Sequence, residues 1–260
     1  MTRGSKAPVR WGMAYPARSR PSGSFVFFGA RFPAVVVWLA GAILVGSCLA
    51  AVDARVGIGA LGYLLLQPDA VAHGEVWRLL TWSFFELSPL GLIFGCLLIL
   101  MFGRDLSDVW GARRFLGAYF LLSVLTAGVT TLLGISFGGG LRQAVYFTVW
   151  PVVEALIIAW ATLFPTRQML IYFVLPLGGR NLILFTMGTT LVFALLSGFI
   201  AFIPHFIAQG LMLAYMREPA IGRLWQKLTL GMRGGQKKRP SHLRAVDRLD
   251  REDEPPRWLH

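Results

Sequence analysis

Residues 147–164 read FTVWPVVEALIIAWATLF, eighteen positions with a single ionisable side chain, Glu154. A helix needs about 20 mostly apolar residues to cross a bilayer, and this run predicts one such span. Working outward, the pattern recurs on both sides, over about residues 32–52, 90–103, 115–135, 182–196 and 198–216. Six spans follow, so the predicted fold class is all-α, a multi-pass membrane helix bundle. The stretch 169–177 is too short to cross and is expected at the membrane interface. Almost no loop separates the last two runs.

Composition agrees. Of 260 residues, 55% are hydrophobic and 15% charged, and the mean hydropathy is +0.61. A net charge of +12 with a pI near 10.6 would by itself suggest a nucleic-acid partner. The placement of the charges excludes nucleic acid. Residues 1–32 carry six Lys/Arg and no acid, and residues 217–260 carry eleven Lys/Arg against six acids. The part between them nets only +1. With the N-terminus inside, 22 basic residues fall in inner segments and three, Arg55, Arg78 and Arg142, in outer ones. This bias predicts both termini cytoplasmic. The membrane expected is a bacterial inner membrane. A cleaved signal is not expected, because the basic region ahead of the first apolar run is too long.

The domain plan is therefore a disordered basic tail (1–32), a six-span domain (33–216), and a juxtamembrane segment with a disordered tail (217–260). In the last, Ile221 to Arg233 mixes apolar residues and cations around Trp225, which suits anionic lipid headgroups. Cys48 and Cys96 lie inside apolar runs, so no disulfide framework is implied. No metal-ligand cluster or dinucleotide fingerprint occurs, and no cofactor or metal is expected.

The segment Gly74-Glu75-Val76-Trp77-Arg78-Leu79-Leu80-Thr81-Trp82-Ser83-Phe84-Phe85 resembles the first-loop Trp-Arg region of rhomboid intramembrane proteases. The turn from Gly103 to Phe115 resembles that family's short cytoplasmic turn, and Phe164-Pro165 and Pro204-His205 fall where rhomboids end their fourth span and open their sixth. The resemblance implies a six-helix bundle in which a fourth-span serine attacks a peptide bond and a sixth-span histidine activates it. A second-span His-x-x-x-Asn pair would help bind the oxyanion. A hydroxyl is a poor nucleophile without a base, and the tetrahedral intermediate needs donors.

The chain departs from that pattern at most of these positions. Counting back from Pro165, Gly-x-Ser-Gly falls on Thr148-Val149-Trp150-Pro151, so Trp150 takes the place of the serine. No Ser or Cys occurs between Phe137 and Leu196, so a shifted register cannot supply one. The second-span pair falls on Gly91 and Gly95; no histidine lies between His73 and His205, and Asn181 is the chain's one asparagine. Of the family's reactive groups, His205 remains. The resemblance thus implies a pseudoprotease that binds other proteins' transmembrane segments. Two alternatives stay open: a protease with an unorthodox nucleophile such as Thr148 or Ser136, and a small transporter or membrane-assembly factor using Glu154 and His205.

Other residues are weighed individually. Gly91 and Gly95, four apart, share a helix face and read as a close-packing surface, with a binding groove as the alternative. Glu154 is the one acid well inside a predicted span, and a carboxylate at that depth needs a partner or a polar cavity. It stands one turn from Trp150, and His205 would face it across the bundle. A Glu154–His205 pair, joined by Gln209 one turn from His205, is expected. Its role is either a structural hydrogen bond or a substrate-sensing or proton-linked site. Trp77 and Arg78 are expected to anchor the first outer loop at the headgroups.

Overall fold

The computed structural model describes residues 23–27, 30–171 and 175–217. Its helices are α1 (Ala34–Val56), α2 (Pro68–Ala72), α3 (Arg78–Thr81), α4 (Pro89–Trp110), α5 (Ala112–Phe137), α6 (Gly139–Gln143), α7 (Trp150–Leu163), α8 (Gly179–Ser197) and α9 (Phe199–Arg217). Two antiparallel hairpins join them: β1 (Ser24–Phe27) with β2 (Ala30–Pro33), and β3 (Gln168–Ile171) with β4 (Leu175–Gly178). The fold is a multi-pass helical membrane bundle. Five helices, α1, α4, α5, α8 and α9, are long and apolar enough to span; α7 is apolar but has 14 residues. At 1.5 Å per residue it is about 21 Å long, less than the roughly 30 Å hydrocarbon core. Six spans were expected; five helices reach spanning length, and the fourth run yields a shorter helix walled in by α4, α5, α8 and α9.

That enclosure follows from its surface. Ten of the fourteen α7 residues are buried, so the helix is apolar all round and occupies the centre. The outer helices bury one stripe each. On α1 the stripe is Val36, Leu39, Ala40, Ile43, Ser47 and Ala50, while Trp38, Val45 and Leu49 face outward. On α8 it is Leu182, Thr186, Thr190 and Ala194, at four-residue spacing and mostly small. In lipid, close packing of small residues rather than burial from water holds helices together.

Glycines set two of these approaches. Gly198, at φ 99°, turns α8 directly into α9, which explains the near-absence of a loop in the sequence. A Cβ on Gly179 would lie 2.5 Å from the Ala161 carbonyl oxygen, so the start of α8 rests on the backbone of α7.

Strands 168–171 and 175–178, the β3–β4 hairpin, take up the short stretch that the sequence places at the interface. The end of the basic tail forms the β1–β2 hairpin rather than disordered chain. Residues 1–22 of that tail and the amphipathic segment and tail from residue 218 onward lie outside the described residues.

The loop between α1 and α4 is folded onto the bundle. Trp82 is fully buried, and Phe85 packs with Ala50 and Leu65. Tyr119 donates to the Ser83 carbonyl at 2.9 Å, and Ser123 donates to the Ser83 hydroxyl at 2.9 Å, so α5 holds the loop from beneath. Leu66 and Tyr146 exchange backbone hydrogen bonds of 3.0 and 2.8 Å, tying this loop to the approach to α7.

Candidate functional site

Trp150 begins α7, and Pro151, whose missing N–H costs nothing at a helix start, follows it. The Trp150 N–H donates to the Thr148 hydroxyl at 3.2 Å, which in turn donates to Glu86 Oε2 at 2.7 Å. Glu86 Oε1 accepts from the Ser88 N–H at 3.1 Å. Ser88 then caps α4 by accepting from the Gly91 N–H at 3.2 Å. Glu86 is buried, and this chain of bonds fixes the start of α7 against the start of α4.

Gly91 and Gly95 face this same corner. A Cβ on Gly91 would lie 2.9 Å from Glu86 Oε1, and one on Gly95 would lie 3.0 Å from Val149 Cγ1. The space that second-span His and Asn side chains would need is therefore occupied by Glu86 and Val149. Of the degenerate positions, Trp150, Gly91 and Gly95 border one corner of the bundle. His205 belongs to a second polar group.

That second group is built on α7, α8 and α9. Gln209 Nε2 donates to Glu154 Oε2 at 2.8 Å and is 2.7 Å from the Thr190 hydroxyl. Thr190 Oγ1 lies 3.3 Å from the same carboxylate oxygen and 3.0 Å from the Thr186 carbonyl, and His205 Nδ1 lies 3.0 Å from Glu154 Oε2. With its proton on Nδ1, His205 becomes a third donor to that oxygen. The Phe202 ring lies 5.0 Å from the imidazole and stacks in turn on Phe193. Helix spacing explains the gathering: His205 and Gln209 stand one turn apart on α9, and Thr190 lies on the buried stripe of α8. In a medium without water a carboxylate must find donors within the protein, and here the two helices facing α7 supply them.

Gln209 Oε1 is buried and has no hydrogen-bond partner among the described residues. Glu154 and His205 keep side-chain exposures of 14% and 10%, so the group is recessed but open. Glu154 is the one residue between Pro151 and Ala161 that is not buried.

Trp77 and Arg78 part company. Trp77 is 49% exposed, its indole N–H donating to the Tyr63 carbonyl at 2.9 Å. Arg78 is only 4% exposed: its guanidinium pairs with Glu75 and donates to the carbonyls of Gly62 and Leu65, the latter at 2.6 Å. The expected headgroup contact of Arg78 is thus replaced by an inward clamp on the loop backbone, because unpaired loop carbonyls compete for its five donors. Ser136, at the end of α5, is exposed.

Sequence reasoning missed Glu86 and Thr190. Glu86 closes an aromatic stretch just before Ser88-Pro89, a helix-start signature that marked it as a loop acid. Thr190 stands four residues from Thr186 and four from Ala194, a spacing that could have placed it on the buried stripe.

Comparison with known proteins fits this architecture. The family described as "Eukaryotic integral membrane protein (DUF1751)" matches residues 37–217, which take in the five long helices, apart from the first turn of α1, and the shorter α7. Over 64 residues the chain is 39% identical to Rhomboid-like protein 19 of Arabidopsis thaliana. That match covers 25% of this chain and 21% of the plant protein, so the likeness spans about a fifth of the relative's length. These findings overturn the expected bacterial inner membrane, since the family is described as eukaryotic and the relative is a plant protein; placement in a membrane stands. With a match over most of its length, the chain belongs to this family of eukaryotic integral membrane proteins (DUF1751) and is rhomboid-like.

Proposed function

We propose that this protein is a rhomboid-like pseudoprotease that binds transmembrane segments of other proteins. The observation that carries the reading is the filled corner at the start of α7. Trp150 stands where the family resemblance puts a serine, and Glu86 and Val149 occupy the space against Gly91 and Gly95. Acyl transfer needs a nucleophile, a base and oxyanion donors held in one geometry. α7 carries no Ser or Cys, so the nucleophile the resemblance calls for is missing there. A bundle that keeps its helix arrangement without this chemistry retains surfaces for neighbouring helices.

Two measurements test it together. A fluorophosphonate probe is expected to leave the purified protein unlabelled, and crosslinking in native membranes is expected to recover single-span proteins. Labelling that disappears in Thr148→Ala would replace this reading with that of an unorthodox protease. The 2.7 Å bond from Thr148 to Glu86 is what favours that second reading, because a carboxylate in contact with a hydroxyl can act as its base. The basic segments at the inner face are assigned to anionic lipid headgroups. A peptide of residues 217–239 is expected to bind phosphatidylserine vesicles and to lose that binding when phosphatidylcholine replaces the phosphatidylserine.

A further inference from the structure

We propose that the recess formed by Glu154, Thr190, His205 and Gln209 recognises a cationic side chain, an amine or guanidinium, in the outer part of a partner's transmembrane helix. The inference rests on the client-binding reading and specifies what such a client presents.

Three observations converge. The first is the orphan acceptor. Gln209 is 1% exposed, its Nε2 is committed to Glu154 and Thr190, and its Oε1 has no partner among the described residues. A buried acceptor left unpaired is costly, so an occupant carrying N–H groups is favoured. The second is the direction of the existing bonds. All the bonds to Glu154 fall on Oε2, and among the described residues no Lys or Arg pairs with this carboxylate. A carboxylate at membrane depth is stabilised most by a cation, and His205 is the one group on the facing helices that could carry charge beside it.

The third is access. Every residue of α7 from Pro151 to Ala161 is buried except Glu154, one turn below the outer end of the helix. Beside the recess, Phe185, Gly188, Thr189, Val192 and Phe193 line a shallow apolar groove of about 330 Å³ along α8. Gly188 has nothing within 4 Å of where a Cβ would stand, so a partner backbone can approach closely there. The Phe193–Phe202–His205 ring series runs from this groove to the recess. A helix in the groove supplies the packing, and a cationic side chain from it supplies the missing donors.

The test uses the full-length protein in phosphatidylcholine vesicles with dye-labelled polyleucine helices. One peptide is all-leucine, one carries a single Lys in its outer third, and one carries a single Glu there. Energy transfer is expected to show the Lys peptide associating about three- to tenfold more strongly than the all-leucine peptide, with the Glu peptide weaker than both. Glu154→Gln and Gln209→Met are each expected to abolish the Lys preference while leaving association of the all-leucine peptide unchanged. Both variants are first checked for a wild-type melting profile, and if one fails to fold the other decides. Equal association of all three peptides with the wild type overturns the inference but leaves the client-binding reading standing. So does a Lys preference that survives in a folded variant. No association with any peptide, together with no single-span protein crosslinked in native membranes, overturns both.

Discussion

Tyr146 stands just ahead of α7, and its hydroxyl donates to the Ile200 carbonyl at 3.0 Å across to α9. Burial pushes its phenol up to about 12, because the charged phenolate loses hydration there. A phenol with a raised folded value contributes stability that is fully present below about pH 10 and is lost as pH rises through about 12. The difference in absorbance titration between wild type and Tyr146→Phe is therefore expected to place this phenol near pH 12. The substitution itself should cost about 1 kcal/mol through the lost hydrogen bond. At this same scale, the Glu154–His205–Gln209 group is legible in the sequence alone. An acid at membrane depth needs donors, and few residues could supply them. Glu86 is not legible there, since an acid in a loop has solvent as its ordinary partner. Nor does the sequence resolve Arg78: a guanidinium next to a tryptophan suits headgroups and loop carbonyls equally well until the loop path is known.

Helix α7 shows what determines an element. The apolar run 147–164 is longer than the helix it yields, because Thr148 and Pro151 set the start and the chain leaves the helix at Phe164 before Pro165. A short helix is tolerated at the centre because its neighbours, not lipid, cover its ends. The next element depends on a single small residue. With its Cβ 2.5 Å from the Ala161 oxygen and 2.9 Å from the Phe164 oxygen, Gly179→Ala must push α8 away from α7. The expected cost is about 1–3 kcal/mol, read as a lowered melting temperature in detergent. Gly188→Ala, with open space around it, is expected to leave the melting temperature unchanged. The β3–β4 hairpin was not anticipated, because a short apolar run carries no period that separates strand from interfacial coil.

For the whole molecule, α4 and α5 form a hairpin turning at Gly111, which has a φ of 82°. Asp108 lies at that turn and His73 in the loop between α1 and α4, and both are exposed. In a background with Cys48 and Cys96 replaced by Ala, single cysteines at His73 and Asp108 are expected to react with an impermeant maleimide from opposite faces of sealed vesicles. Labelling of both from one face would contradict a membrane-crossing α4.

The membrane class, the approximate positions of the apolar runs and the missing serine were determined by the sequence itself. Hydropathy is a local quantity summed over about 20 residues, and the absence of a residue type requires no coordinates. The tertiary structure alone decided which side chains meet: that Glu86 and Val149 fill the corner beside Gly91 and Gly95, that Arg78 turns inward, and that Thr190 joins Glu154. Such meetings depend on the rotation and depth of each helix relative to its neighbours. Those are fixed by packing of small residues across the whole bundle rather than by any one stretch of chain.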